Sequence, residues 1–149
     1  MADAKKLIKS YLQGDARTMQ LATVVDGKPW VASVYFVADS DMNIYWLSWP
    51  DRRHSQAIKE QSQVAAAIVI KIDQPVIGVQ LSGIANEVTD AMTVRKIMTL
   101  YVAKYNTGAG FYEAFVAGTN KHHMYRLVPT ELSLFDEVHF PSTSPILLH

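Results

Sequence analysis

The sequence contains no cysteine. Disulfide scaffolds, thiol nucleophiles, zinc knuckles and cysteine-ligated iron–sulfur clusters are therefore excluded together. It also lacks an excess of charge of either sign: 14 Lys and Arg offset 14 Asp and Glu, and the pI is near 7.0. No global field steers such a chain onto nucleic acid or an anionic membrane, so no nucleic-acid partner is expected and any anion has to be held by a local cluster. No stretch approaches the roughly 18 consecutive apolar residues of a membrane span. The opening Met1-Ala-Asp-Ala-Lys-Lys leads into an amphipathic segment, not the apolar core of a signal peptide. A soluble, cytoplasmic protein without a membrane partner is the expectation.

Several active-site motifs are missing as well. There is no G-x-S-x-G elbow, no G-x-x-x-x-G-K phosphate loop and no H-E-x-x-H. Gly108-Ala-Gly110 is followed by Glu113 where a dinucleotide fingerprint needs a small residue, so it reads as a helix stop. His122 and His123 are adjacent on an expected strand and point to opposite faces, so they cannot clasp one metal. No metal site is expected.

What is present is a chain of 149 residues with 49% hydrophobic composition. That fits one domain over 1–149, able to hide about 70% of the surface its unfolded chain exposes. Ala4, Leu7, Ile8, Tyr11 and Leu12 carry the spacing of a short helix over 4–12, which Gly14 stops. Thr18 to Val25 and Lys28 to Ala38 flank Asp26-Gly27, a strong hairpin signal because a tight primed turn needs positive φ at both central residues. Ile44 to Trp49 reads as a third strand, and Asp51 is placed to cap a helix running towards Gln61.

Val64 to Ile72 is apolar enough to read as a strand buried on both sides. Val76 to Val88 follows, with Gly78 and Gly83 marking bulges or close backbone approach. Val94, Ile97, Met98, Tyr101, Val102 and Tyr105 form one helical stripe, and a shorter helix is expected over 111–117. His122 to Val128 and Glu131 to Phe135 read as two strands around a Pro129 turn, and the tail from Pro141 as either loose or docked on a partner. Strands that follow one another directly argue for a mainly β, antiparallel barrel with peripheral helices.

Two groups of residues stand out. Arg52, Arg53 and His54 fill the first turn of the expected helix, where each cation opposes the backbone dipole by about 0.3–1 kcal/mol. A bound anion resolves the conflict, taking hydrogen bonds from free N–H groups and the cations together. A solvated turn, with Arg52 paired to Asp51 or Glu60, is the alternative. The second group is aromatic: Trp30, Tyr35, Phe36, Tyr45, Trp46 and Trp49 lie on two adjacent strands. Alternation assigns Trp30, Phe36 and Trp46 to one face and Tyr35, Tyr45 and Trp49 to the other. One face is core; the other either walls a flat ligand or packs on a second subunit.

The order of these parts resembles the flavin-binding split-barrel family typified by pyridoxamine 5′-phosphate oxidase. The segments that carry it are Trp30-Val-Ala-Ser-Val-Tyr-Phe-Val37, Ile44-Tyr-Trp-Leu-Ser48, Arg53-His54-x-x-x-Ile58, Val64-Ala-Ala-Ala-Ile-Val69, Leu81 to Asp90 and Tyr125 to Phe135. The resemblance implies a six-stranded antiparallel Greek-key split barrel, homodimeric, with an FMN in each of two clefts at the subunit interface. By position, Arg53 and His54, with Arg52 beside them, match the family's basic pair on the FMN phosphate, and Ser48 the hydroxyl residue next to it. Ala32, Ser33, Val34 and Tyr35 match the strand running along the flavin ring.

Two departures narrow the expectation. Ala32 or Ser33 stands where the family has a phosphate arginine, and Val138-His139-Phe140-Pro141 replaces the oxidase's substrate-binding arginine and histidine pattern. The resemblance is thus to a small general-stress or flavin-reductase-like relative and not to the oxidase itself. It implies an FMN-dependent oxidoreductase moving electrons between a reduced nicotinamide or small substrate and an acceptor, without a protein acid or base. The alternatives are a non-catalytic flavin, deazaflavin or haem protein, with His122, His123 or His139 as axial-ligand candidates for haem, and a dimeric barrel that binds nothing.

Overall fold

The computed structural model describes residues 2–149. Helix α1 (Ala4–Leu12) starts at Asp3, whose carboxylate accepts the Lys6 amide at 3.2 Å, and it buries Ile8 and Leu12. Strands β1 (Thr18–Val25) and β2 (Lys28–Ala38) join through Asp26 and Gly27, at φ 52 and 74, the two positive values the hairpin requires. Asp39 then turns the chain by accepting the amides of Asp41 and Asn43. There follow β3 (Ile44–Ser48), α2 (Arg53–Glu60), β4 (Gln63–Lys71), β5 (Ile77–Val88), α3 (Ala91–Tyr105), α4 (Phe111–Val116), β6 (His123–Asp136) and β7 (Ile146–Leu148).

All strand pairs are antiparallel, in the order β3-β2-β1-β4-β5-β6-β7, and β3 also pairs with β6. That last pairing closes six strands into a barrel, and β4 returning beside β1 makes the connection a Greek key. The interior is filled by side chains such as Leu21, Phe36, Trp46, Ile68, Val79 and Leu127, all buried. A second cluster lies outside the barrel wall, where α3 sets Ile97 and Met98 against Val37, Tyr45 and Met124.

Pairing along β2 is uneven. Residues Lys28–Tyr35 pair with β1, whereas only Phe36–Ala38 pair with β3. The barrel is therefore split between β2 and β3. The Phe36 amide donates to Arg17 O at 3.2 Å, so even-numbered residues of β2 direct their backbone groups at β1. Alternation then directs the backbone groups of Val31, Ser33 and Tyr35 at the split. Continuing the Phe36–Trp46 register sets Ser48 across the split from Val34.

Three expectations are corrected. Strand β4 is buried on one face only: Val64, Ala66 and Ile68 point inward, while Ala65, Ala67 and Val69 are exposed. Alanines on the outer face made the run look continuous. Pro129 does not turn the chain, because β6 runs unbroken through it. The ladder slips there instead, from Ser82↔Glu131 to Gly83↔Pro129, leaving Thr130 as the extra residue and placing the proline at a bulge where ladder geometry is already interrupted. The tail is not loose: β7 pairs with Leu132–Leu134 of its own β6. Both glycines of β5 lie at bulges as expected: Gly83 also marks a close approach, a Cβ there running into Val128 O, while Gly78 faces the slip of β4 at Ile70 with its nearest atom 3.7 Å away.

Candidate functional site

Pro50 ends β3, and α2 begins three residues later. The residue at its N-cap is Arg52, not Asp51, and no side chain caps the helix. The first amides of α2 thus keep their donor capacity, and the dipole adds partial positive charge. Into this region β3 delivers Ser48, whose hydroxyl lies 2.7 Å from Nε2 of His54. Burial, and then the guanidinium of Arg52, hold His54 below the usual histidine pKa of 6.5. Burial followed by the same guanidinium also lowers His122. One cation therefore acts on two imidazoles from different parts of the chain.

Trp49 organises this group. The Arg52 guanidinium lies 4.6 Å from its ring centre, Lys121 Nζ 5.4 Å, and the His122 ring meets it edge-on at 6.1 Å. Asn120 Oδ1 accepts both the His122 amide at 2.9 Å and ring Nδ1 at 2.7 Å. A carbonyl oxygen only accepts, so Nδ1 of His122 carries the proton and Nε2 keeps its lone pair. Arg53 stands apart, stacked on Trp30 at 3.8 Å beside a cavity of about 260 Å³ that Lys28, Gln56 and Glu60 also line. Neither arginine reaches ion-pair distance of a carboxylate among the described residues, so the expected Arg52 partners Asp51 and Glu60 are not used.

The structure thus brings Ser48, Arg52 and His54 together and sets Arg53 on a neighbouring face. Ala32, Ser33, Val34 and Tyr35 lie along the split: Val34 is buried, Ser33 accepts from Gln20 Nε2 at 2.8 Å, and Tyr35 is 57% exposed. Lys121 and Trp49 joining the cation group was not foreseen from the sequence. Only the β3–β6 closure carries residues 121–123 to the end of β3, as the Ser48↔His123 pairing shows. His123 turns to the other side and bridges to Glu87 at 2.6 Å, and His139 is committed to Asp136 at 2.9 Å.

The aromatic faces also resolve. Phe36 and Trp46 are core, Tyr45 lies beneath α3, and Tyr35 is outside. Trp30 keeps the face of Phe36, opposite the buried Thr23, but is 44% exposed, since it sits where β2 has left β3 and is covered by Arg53 instead of the core. Among the described residues no group of His, Asp and Glu is arranged to hold a metal, and no helix is long and apolar enough to cross a membrane.

A closed antiparallel barrel parted between its second and third strands, with a basic helix start at the parting, is a split barrel. The family model described as pyridoxamine 5′-phosphate oxidase matches residues 4–135, and the chain belongs to that family. Its fold is similar to that of a conserved hypothetical protein from Mycobacterium tuberculosis, at TM-score 0.77 and 16% identity over 96% of this chain and 91% of that one. General Stress Protein 26 from Bacillus anthracis aligns at TM-score 0.69 and 16% identity, over 97% of both chains. The haem storage protein of Vibrio cholerae aligns at TM-score 0.66 and 20% identity, over 91% of this chain and 95% of that one. No curated protein matches the sequence.

Proposed function

We propose that this chain is an FMN-dependent oxidoreductase that works as a homodimer, with the cofactor in the split between β2 and β3. The observation that carries the reading is the convergence of Ser48, Arg52 and His54 at the uncapped start of α2, across the split from the open edge of β2. That donor set fits a flavin phosphate: the Arg52 guanidinium, an imidazole that an arriving anion would protonate, a hydroxyl and free amides, with no carboxylate in hydrogen-bond contact. Arg53 adds a second cation by leaving Trp30. The open backbone groups of Ser33 and Tyr35 offer alternating donors and acceptors to the edge of a planar heterocycle, with Ala32 and Val34 setting the strand between them.

A bound flavin supplies the redox chemistry, taking a hydride from a reduced nicotinamide or small donor and passing electrons to an acceptor. The protein's share is to fix the phosphate, align the ring and shield it from water. The outer face of β2-β1-β4 supports a second copy. Val31, Tyr35 and Val69 are 59%, 57% and 57% exposed there, around the small side chains of Ala22, Ala65 and Ala67. A partner on this face covers the side chains next to the split.

Titration of the purified protein with FMN and with riboflavin, followed by flavin fluorescence, tests the reading. FMN binding at least tenfold tighter than riboflavin is expected, a difference of about 1.4 kcal/mol from the phosphate alone. Equal affinity removes the phosphate site, and no uptake of either removes flavin altogether.

One observation favours a second reading, haem binding. His122 has its Nδ1 proton held by Asn120 and its Nε2 lone pair available, the arrangement an axial ligand needs. A Soret band after addition of haemin, lost in His122→Ala, would establish it.

A further inference from the structure

The connection between α1 and β1 crosses α3 over a cavity of about 690 Å³, larger than the one beside Trp30 and sharing no residue with the Ser48–His54 site. Its apolar walls come from Leu12, Val37, Leu100 and Ala103, and the cations Arg17 and Lys104 outnumber the one carboxylate, Asp15, that also lines it. Lys104 is half-buried, and its ammonium lies 4.1 Å from the Phe36 ring centre. Nζ donates to Ala16 O at 2.5 Å and to Phe36 O at 3.1 Å.

These two bonds account for two N–H groups. The ammonium has a third, and its loss leaves the neutral amine with both remaining N–H groups on the carbonyls and a lone pair at the third position. Phe36 O also accepts from the Tyr105 hydroxyl, so it is not orphaned if Lys104 releases it. Ala16 O has no such second donor and keeps one N–H in place. We propose that Lys104 is a carbonyl-capturing amine, and that this cavity takes a small aldehyde carrying an anionic group, with Arg17 as the counter-charge.

The step balances without a redox partner. The Nζ lone pair attacks the carbonyl carbon, a C–N bond forms, and the carbonyl π bond opens to a hydroxyl that receives one amine proton. The hydroxyl then leaves as water with a proton drawn from solvent, and a protonated imine remains with one N–H, directed at Ala16 O. Burial first, and Arg17 second, bring the Lys104 pKa down from 10.5 to about 8, with Asp15 opposing. Roughly three hundredfold more of this amine is neutral near pH 7 than of an ordinary lysine. Arg17 has no carboxylate within ion-pair distance among the described residues, and its guanidinium lies 5.3 Å from the Tyr105 ring centre.

The test uses the full chain, glyoxylate as the anionic aldehyde, acetaldehyde as its neutral counterpart, and cyanoborohydride to trap the imine, with sites located by peptide mass mapping at pH 7. Lys104 is expected to be alkylated by glyoxylate about tenfold faster than the exposed Lys28, part of its larger neutral fraction being offset by lower intrinsic nucleophilicity. Arg17→Gln is expected to slow the glyoxylate reaction severalfold and leave acetaldehyde unchanged. Lys104 reacting no faster than Lys28 in the unaltered protein overturns the proposal, whatever the variants do. An equal effect of Arg17→Gln on both aldehydes overturns the anionic subsite.

Discussion

The Ser48 hydroxyl and Nε2 of His54 lie 2.7 Å apart, joining the end of β3 to the first turn of α2. In the folded protein the imidazole titrates below its ordinary 6.5, because of burial and then Arg52. The unfolded chain therefore takes up this proton first as the pH falls. The stability associated with the neutral ring is fully present above about pH 6.5 and declines as the pH drops from there through the lowered folded value. His122 contributes in the same direction. Melting temperature should fall between pH 7 and pH 5, the fall should shrink in His54→Gln, and added phosphate should oppose it by neutralising the surrounding charge. A profile identical in wild type and His54→Gln would show that this ring is not what titrates.

Arg52 is the shared perturbing charge on His54 and His122. Replacing it with alanine should raise both histidine pKa values, read by NMR titration, and at the same time weaken FMN. Arg53→Ala should also cost about 2 kcal/mol or more of FMN affinity, the loss expected when one partner of a desolvated charge pair is removed. It should additionally change Trp30 fluorescence, because the stacked guanidinium is gone. Unchanged flavin affinity in Arg53→Ala would leave Arg53 as a cover for Trp30 and confine the phosphate to the Arg52 side.

Arg52 and Arg53 are legible as a local conflict, cations where the helix dipole disfavours them. Which of them faces Ser48 is not, because that depends on where Trp30 and Trp49 stand as stacking partners. The hairpin at Asp26-Gly27, the α3 stripe and the barrel were readable because each rests on short-range periodicity or turn chemistry. Pro129 misled for the opposite reason. A proline signals a break in isolation, yet the missing amide is tolerated at a bulge, and that bulge depends on Gly83, 46 residues earlier. The cation group around Trp49 was hidden likewise, since Lys121 reaches it only through barrel closure.

Gly83 and Gly78 offer a matched pair. A Cβ at position 83 runs into Val128 O and meets Leu127 Cδ2 at 2.9 Å, backbone and side chain of β6, so neither strand can yield cheaply. Gly83→Ala should destabilise by about 2–3 kcal/mol, in the range of overpacked cores. Gly78→Ala meets only ordinary contact and should change stability by less than about 1 kcal/mol. Equal denaturation midpoints for the two variants would contradict the bulge geometry.

Asp136 is fully buried at the end of β6 and accepts the Tyr11 hydroxyl at 2.7 Å, ring Nδ1 of His139 at 2.9 Å, and the amides of Val138 and His139. Burial alone would raise its pKa; the His139 amide, Tyr11 and the His139 side chain outweigh it and hold the carboxyl below the usual 3.8. The stability this gives is present above about pH 4 and is lost as the pH falls through the folded value. Tyr11→Phe should cost about 1–2 kcal/mol, as for a hydrogen bond to a charged acceptor. It should also loosen α1, seen as faster amide exchange at Ile8 and Leu12. Retained protection there would mean that apolar packing alone holds the helix.

The exposed face of β2-β1-β4 gives the last expectation. Val31 lies opposite Ala22 and Tyr35 opposite Thr18, while Ala22 and Ala65 pair on the next strand, so large side chains rim a shallow floor of small ones. Apolar residues so placed on a regular, uninterrupted sheet favour burial over exposure, and zero net charge on the chain leaves little repulsion between copies. Val31→Asp places a charge on this face without touching the barrel interior. It should convert a dimer to a monomer by light scattering, lower FMN affinity because the split loses its cover, and leave the far-ultraviolet circular dichroism unchanged. A variant still dimeric would move the interface elsewhere; a monomeric wild type would remove the dimer and require the split to bind its ligand from one chain alone.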